Sequence, residues 1–273
     1  MVTHCVVPDT QAAPGTPSDH LRWIGKFIAD KRPDVIVHLG DHWDMQSLSA
    51  YDKGKAQMEG RRYEEDVEKG NDDFALLDSE IERNNRRRPR VRPIKPYNPR
   101  KVLLRGNHEY RIQRAADEAP HLVGKISYDD LDTLDWEVHD FLKPVFLDGI
   151  GYSHYWANPM TGRPYGGMVS TRLKTLGHSF TMGHQQTLDT AIRFIHGPNG
   201  PKAQRGLVAG ACYLHDEDYK GYQGNAHWRG IIFKHEVDDG SYDMMEVSLD
   251  FLCRRFEGVG LNEFMAEQYG LAA

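Results

Sequence analysis

Cysteine is scarce in this chain. Cys5, Cys212 and Cys253 are the three cysteines in 273 residues, and none stands in a CxxC pair. An odd, scattered set argues against a disulfide framework and leaves buried or unreactive thiols. Long apolar runs are missing too, because none approaches the roughly 18 residues that a membrane-spanning helix needs. No basic stretch followed by an apolar core opens the sequence, so no secretory signal is expected and the protein is read as cytoplasmic, with no membrane partner. No repeat of solenoid period occurs. Positive charge is not in excess either. The formal net charge is -6, and the surface as a whole does not advertise a polyanion partner.

What is present is an ordinary soluble composition, 39% hydrophobic and 27% charged, long enough for one large α/β domain. The opening "HCVVPD" is a short apolar run with a polar tip, as in a buried strand. Ser18 or Asp19 then caps a helical pattern in which Leu21, Ile24, Phe27 and Ile28 share a face, and Pro33 stops it. Val35 to Leu39 reads as the next strand, so the chain begins strand, helix, strand, the unit that makes parallel sheets. A charged helix is expected from about Arg61 to Arg87. The stretch from Arg83 to Lys101 follows, with Arg86, Arg87, Arg88, Arg90, Arg92, Lys95 and Arg100 and no acid. It reads either as a solvated, proline-stiffened connection or as a loop that steers a polyanion. Later, "RGIIFKHEVDDGSYDMMEV" reads as a hairpin about its DG turn, and "LNEFMAEQYGLAA" as a short helix or frayed tail.

Strand after strand ends in a short loop holding a residue able to bind a metal: Asp9, Asp41, Asn107, His154 and His184. In α/β folds sites lie at the carboxyl ends of strands, and these five are expected to converge on one edge of a sheet. Any one of them alone is a common turn or cap residue. The stretch "FTMGHQQT" adds a question, because Gln186 stands where a second imidazole would suit a paired-metal site, and Gln11 follows Asp9 in the same way.

At this point the sequence resembles the calcineurin-like metallophosphoesterases, whose pattern is D-x-H, G-D-x-x-D, G-N-H-[ED], a lone H, then G-H-x-H. The matching stretches are Asp9-Thr10-Gln11, Gly40-Asp41-His42-Trp43-Asp44, Gly106-Asn107-His108-Glu109, His154 and Gly183-His184-Gln185-Gln186. The order is kept from about residue 5 to residue 186. The remainder is similar to phage-encoded members, for which the location would be the host cytoplasm. The resemblance implies an α/β fold of two mixed β-sheets packed as a sandwich and flanked by helices, a four-layer αββα arrangement. Residues 1–273 would form a single domain, with a helical and basic-loop insertion at about 52–100.

The resemblance further implies metal-dependent hydrolysis of phosphoesters through attack by metal-bound hydroxide, at two ions roughly 3.5–4 Å apart. Asp41 would bridge them. Asn107, His154 and His184 would complete one shell, and Asp9, Gln11 and Gln186 the other. Both glutamines fall on the second ion. Two neutral amide oxygens in place of two imidazoles move its preference from zinc toward manganese, magnesium or calcium, iron being a further alternative, and weaken it. One firm and one exchangeable site are expected, with Mn2+ the first choice and Mg2+, Fe, Zn2+ and Ca2+ the alternatives, against a single-metal alternative. His108 would act as general acid and Asp44 would orient it. Glu109 would steady the loop. Arg105 and His42 are candidate substrate contacts, His42 equally a packing or surface residue.

Substrate class is read less directly. Met45 follows Asp44 where serine/threonine phosphatases carry an arginine, which counts against a protein phosphatase. The basic loop and the aromatics Trp43, Tyr110, Tyr155 and Trp156 admit DNA, RNA or nucleotides. A phosphodiesterase is therefore expected, with a phosphomonoesterase as the alternative. A catalytically idle, metal-stabilised nucleic-acid-binding module is the alternative of another class.

Overall fold

The computed structural model describes residues 2–86, 95–198, 200–217 and 221–270. Four strands, β1 (Val2–Val7), β2 (Val35–His38), β3 (Arg100–Leu104) and β4 (Glu137–His139), lie parallel and side by side. On the far side of β1 the sheet is extended antiparallel by β10 (Gly230–Asp238) and β11 (Ser241–Ser248), joined through the expected turn at Asp239-Gly240. The second sheet holds β5 (Val145–Leu147), β6 (Ile150–Tyr152), β7 (Ser179–Met182), β8 (Leu188–Gly197) and β9 (Gly200–Ala209), in the order β5-β6-β7-β9-β8. β6, β7 and β9 run parallel, and β5 and β8 close the sheet antiparallel.

Alternation along the strands sets the layers. Val6, Val37, Val102 and Leu104 point toward Ile150, Tyr152, Leu207 and Ala209, forming the core between the sheets. Cys5, Val7, Ile36 and Leu103 point outward and are covered by α1 (Asp19–Lys31), α2 (Tyr63–Ile81) and α7 (Leu249–Glu257) through Ile24, Phe27, Phe74, Leu77 and Leu252. On the other outer face Val169 and Leu173 of α5 (Val169–Leu176) cover Phe180, Met182 and Val208. The chain is thus a two-sheet α/β sandwich with helices on both outer faces. Shorter helices, α3 (Arg83–Arg86), α4 (Tyr110–Glu118), α6 (Gly221–Asn225) and α8 (Leu261–Tyr269), complete it. No helix among the described residues is long and apolar enough to cross a membrane, and the three cysteines are buried and unpaired.

The reading of α1 matches: Leu21, Ile24, Phe27 and Ile28 are all buried, and Arg32, left-handed at φ 54, ends the helix before Pro33. Several elements went unread, β4, α4, α5, β8 and α7 among them. β8 is largely exposed, so its apolar residues gave no core signal, and α7 is one short amphipathic turn pair continuing from a strand.

Lys234 of β10 lies fully buried between the sheets. Thr181 Oγ1 and the Tyr152 hydroxyl accept from its amine, and the rings of Tyr152 and Tyr242 flank it at 4.5 and 4.6 Å. Burial holds its pKa well below the usual lysine range. The unfolded chain therefore binds a proton that the folded chain sheds, and stability rises with pH up to about 10.4, the unfolded value. A Lys234→Met variant is expected to be more stable at neutral pH by on the order of 1–3 kcal/mol. It should also lose this part of the pH dependence, read as the difference between urea midpoints at pH 7 and pH 9.5. A variant less stable than the parent at both pH values would overturn this.

Candidate active site

The loops that follow β1, β2 and β3 carry Asp9, Asp41 and Asn107, and those that follow β6 and β7 carry His154 and His184. One edge of one sheet was expected. The structure uses the carboxyl ends of two sheets, because β6 and β7 belong to the second one. The stacked sheets bring their loops face to face. Asp41, His154 and His184 each offer a ligand atom within 4.8 Å of the others. Asn107 Oδ1 lies 2.9 Å and Asp41 Oδ2 3.2 Å from His154 Nε2. His154 Nδ1 donates to the Leu39 carbonyl at 2.8 Å, which turns the Nε2 lone pair toward the cluster. A carboxylate, an amide oxygen and imidazole nitrogens around one point, with the far imidazole nitrogen tied off, fit a divalent cation.

Electrostatics follow from burial. Burial works against ionising Asp41, yet the His108 and His154 imidazoles hold its carboxyl well below the usual carboxylate range. Burial likewise works against a charged His154, and Asp41 outweighs it, lifting the imidazole to about 9. A proton and a cation compete for that Nε2.

Backbone strain concentrates here. Gln11, Asp41, His184 and Gln186 take positive φ of 42°, 50°, 66° and 58°, at a cost on the order of 1 kcal/mol or more each. Glu109 holds the loops. Its buried carboxylate accepts from the backbone N–H groups of Gly106 (2.7 Å), Asp41 (3.0 Å), His42 (2.6 Å) and Trp43 (3.1 Å), so one side chain from the GNHE loop fixes the GDxxD loop. Gly106 and Gly183 permit the close approach. A Cβ on Gly106 would sit 2.1 Å from Asp41 Oδ1, and one on Gly183 2.3 Å from Asp9 Oδ1.

The other half of the constellation is built differently. Asp9 is buried and both its oxygens accept from the His184 amide at 3.1 Å; burial pushes its pKa up to about 6. Gln11 is fully buried and neither amide atom has a hydrogen-bond partner among the described residues. Gln186 Oε1 accepts from the Tyr213 hydroxyl at 3.0 Å. The second group of residues thus offers one carboxylate, one free amide and one amide oxygen already engaged. Tyr213, from the loop after β9, is a neighbour that sequence reasoning missed. His215 stacks on it at 4.7 Å and lies 3.5 Å from Glu217.

His108 stands beside Asp41 with Nε2 at 3.7 Å from Oδ2, while its backbone N–H donates to Asp41 Oδ1 at 2.8 Å. Its Nδ1 is hydrogen-bonded to Asp44 Oδ1. Burial opposes a charged His108, but Asp41 and Asp44 raise its pKa above the ordinary histidine value. Burial also opposes an ionised Asp44, and His108 and Arg111 bring it down to about 2. Arg111 was not foreseen. It lies on α4 three residues after His108, donates to the Asp44 carbonyl at 2.7 Å and places Nη2 3.1 Å from His108 Nε2. Helical spacing after the GNHE block was the signal that could have found it.

Other expected contacts fall elsewhere. His42 is fully buried, its ring nitrogens engaged by Thr10 Oγ1 at 2.7 Å and by the Gly70 carbonyl of α2 at 3.0 Å, so it packs and has no route to substrate. Arg105 is held by Asp140 at 2.8 Å and lies over the Tyr128 ring at 3.9 Å. Trp43 is fully buried and cannot stack on a base. Of the basic stretch, residues 87–94 lie outside the described residues. Arg83 pairs with Glu80, Arg100 with Glu137, and the buried Lys101 with Asp78 and Asp135. These three cations are spent within the fold.

Two stacked sheets that deliver carboxylate, amide and imidazole to one point, with a carboxylate-held histidine alongside, define a metal-assisted hydrolase. The calcineurin-like phosphoesterase model matches residues 3–231, and the chain belongs to that family. It is a metal-dependent phosphoesterase, a hydrolase of phosphoester bonds. No curated protein matches it. Twenty chains of solved structures do; one, a crystal structure, aligns at 12% identity over 90% of this chain and 98% of that one, with a TM-score of 0.40.

Proposed function

We propose that this phosphoesterase cleaves phosphodiesters of nucleotides or nucleic acid, with a cation held by Asp41, Asn107, His154 and His184. The observation that supports it most is the meeting of Asn107 Oδ1 and Asp41 Oδ2 at His154 Nε2, with Nδ1 anchored on Leu39. When bound, the cation polarises the phosphoryl oxygen and makes water acidic enough to attack near neutral pH. His108, held at Nδ1 by Asp44, hands a proton from Nε2 to the leaving oxygen once Arg111, which donates to that nitrogen in this structure, moves aside. Arg111, 3.1 Å from that Nε2, adds positive charge where the leaving group develops negative charge.

The diester reading draws on an aromatic wall beside the cluster. Tyr155 packs on His184 at 4.8 Å, Phe141 on Tyr155 at 5.3 Å and Tyr110 on Phe141 at 5.0 Å, Tyr110 being 38% exposed. A flat second ester substituent such as a nucleoside suits that wall. Arg83, Arg100 and Lys101 lend a polyanion no support. The whole chain is taken as one catalytic unit, with the segment at about 52–100 inserted but integrated through the contact of His42 with Gly70.

Hydrolysis of a chromogenic bis-aryl phosphate with added Mn2+ is expected to exceed that of the mono-aryl ester and to vanish in Asn107→Ala. Preference for the monoester would replace this reading with the phosphomonoesterase. No metal-dependent turnover, or turnover that survives Asn107→Ala, would leave an idle binding module.

We further propose one firm manganese ion per chain and a second, exchangeable one on the side of Asp9, Gln11 and Gln186. Dialysis against Mn2+ followed by elemental analysis is expected to find one retained ion. The Gln11→His/Gln186→His double variant should retain two. Two ions retained by the parent, or one by the double variant, would refute the asymmetry.

A further inference from the structure

The sheet edges are not equally protected. β4 and β5 have three residues each, too short to recruit another strand. β8 has ten, and among the described residues its only strand partner is β9. It lacks proline and any break in its register with β9, two of the devices that usually blunt an edge, and its two charges, Asp189 and Arg193, are of opposite sign. Its even-numbered residues share one face, where Leu188 packs toward the inter-sheet core and Ile192 and Phe194 stand 53% and 65% exposed. Its odd-numbered residues share the other, where Ala191 packs with the residues of α5 and Asp189 and Arg193 are exposed.

The strand is complementary to itself. A two-fold axis normal to the sheet keeps each face on its own side, so odd residues pair with odd and even with even. With the axis at Ala191, Asp189 lies opposite the partner's Arg193, Leu188 opposite the partner's Phe194 and Thr190 opposite the partner's Ile192. Moving the axis to Thr190 or Ile192 sets Asp189 against the partner's Ala191 or the partner's Ile195 and leaves both charges unmatched. Of these registers only the one at Ala191 joins the charges, a favourable cross-strand pairing, while setting both exposed apolar side chains against side chains of the partner.

We propose that two copies of this chain associate through β8, antiparallel and centred on Ala191, so that their second sheets become one continuous sheet. Asp189 remains available to the partner. One of its oxygens accepts from the Val169 N–H at 3.2 Å, which leaves the other free.

The first test is covalent. On the two-fold axis, Cys residues introduced by Ala191→Cys face each other at the Cβ separation of an opposed pair, within reach of a disulfide. Mild oxidation is expected to convert Ala191→Cys to a linked dimer on a non-reducing gel. His196→Cys, whose two copies would lie far apart in this register, should stay monomeric. The native cysteines are buried and give little background. The second test is mass in solution by light scattering after size exclusion. The parent should run as a dimer. Arg193→Asp, which opposes Asp to Asp twice, should weaken association about tenfold or more, and Asp189→Arg/Arg193→Asp should restore it. A monomeric parent at about 100 μM, equal cross-linking of the two cysteine variants, or an Arg193→Asp variant that dimerises like the parent would overturn the proposal. If loss of the Val169 contact unfolds the double variant, the cysteine pair decides alone.

Discussion

Asp41→Asn is expected to leave the fold intact, to lose the firmly held cation, and to lower metal-dependent phosphoester hydrolysis by roughly 10³-fold, about 4 kcal/mol of barrier. Asparagine is the informative replacement. It tolerates the left-handed backbone that Asp41 adopts at φ 50°, and it keeps an oxygen for the His108 N–H at 2.8 Å. What it removes is the negative charge that both His108 and His154 feel. Without it the cluster of Asp41, His154 and His184 offers a cation only neutral donors, and its one anionic oxygen is gone. The measurement pairs retained metal per chain with kcat/KM on a bis-aryl phosphate, alongside a thermal melt. A variant that keeps its metal and works within about tenfold of the parent would remove Asp41 from the centre of the site.

The stability of that loop does not rest on Asp41, which is why the charge can be tested cleanly. Glu109 binds four backbone N–H groups from both loops, and its residue is distinct from the cation cluster. This was visible in the sequence only as a fourth letter of a motif with an expected steadying role.

Other features were legible for a plain physical reason. Short buried strands are apolar runs, and they end where a polar residue enters solvent or a site, so Asp9, Asp41, Asn107, His154 and His184 could be marked one by one. Their meeting point could not be placed, because strand order and sheet membership depend on long-range pairing that no local pattern encodes. Trp43 and His42 show the same limit. Both sit inside a functional loop, yet α2 covers them, and a helix whose contact residue Gly70 lies 28 residues further along the chain than His42 leaves no local sign of what it buries. The cationic run illustrates a further limit: three of its described members, Arg83, Arg100 and Lys101, meet carboxylates on other elements, so charge density along the chain overstated the charge available to a ligand. The glutamines were legible as departures, but the reason they differ from each other, Tyr213 reaching the Gln186 amide and no described residue bonding the Gln11 amide, exists only in three dimensions.

His108→Ala is the second large effect, an expected loss of on the order of 10²–10⁴ in kcat with little change in retained metal. The fold should survive, because the His108 contact to Asp41 Oδ1 runs through its backbone N–H and is independent of the side chain. Asp44→Asn should cost less, about 10–100-fold, since the imidazole stays in place and loses only the anion that orients it at Nδ1. The two variants differ further in their response to the leaving group. A nitrophenolate departs with little help from an acid, whereas an alkoxide needs its proton in the transition state. The deficit of His108→Ala should therefore grow from aryl to alkyl phosphodiesters, and Arg111, 3.1 Å from Nε2, should carry part of what remains with the aryl substrate. Equal losses across leaving groups would mean that His108 steadies the phosphoryl oxygens through its charge and that the proton comes from solvent.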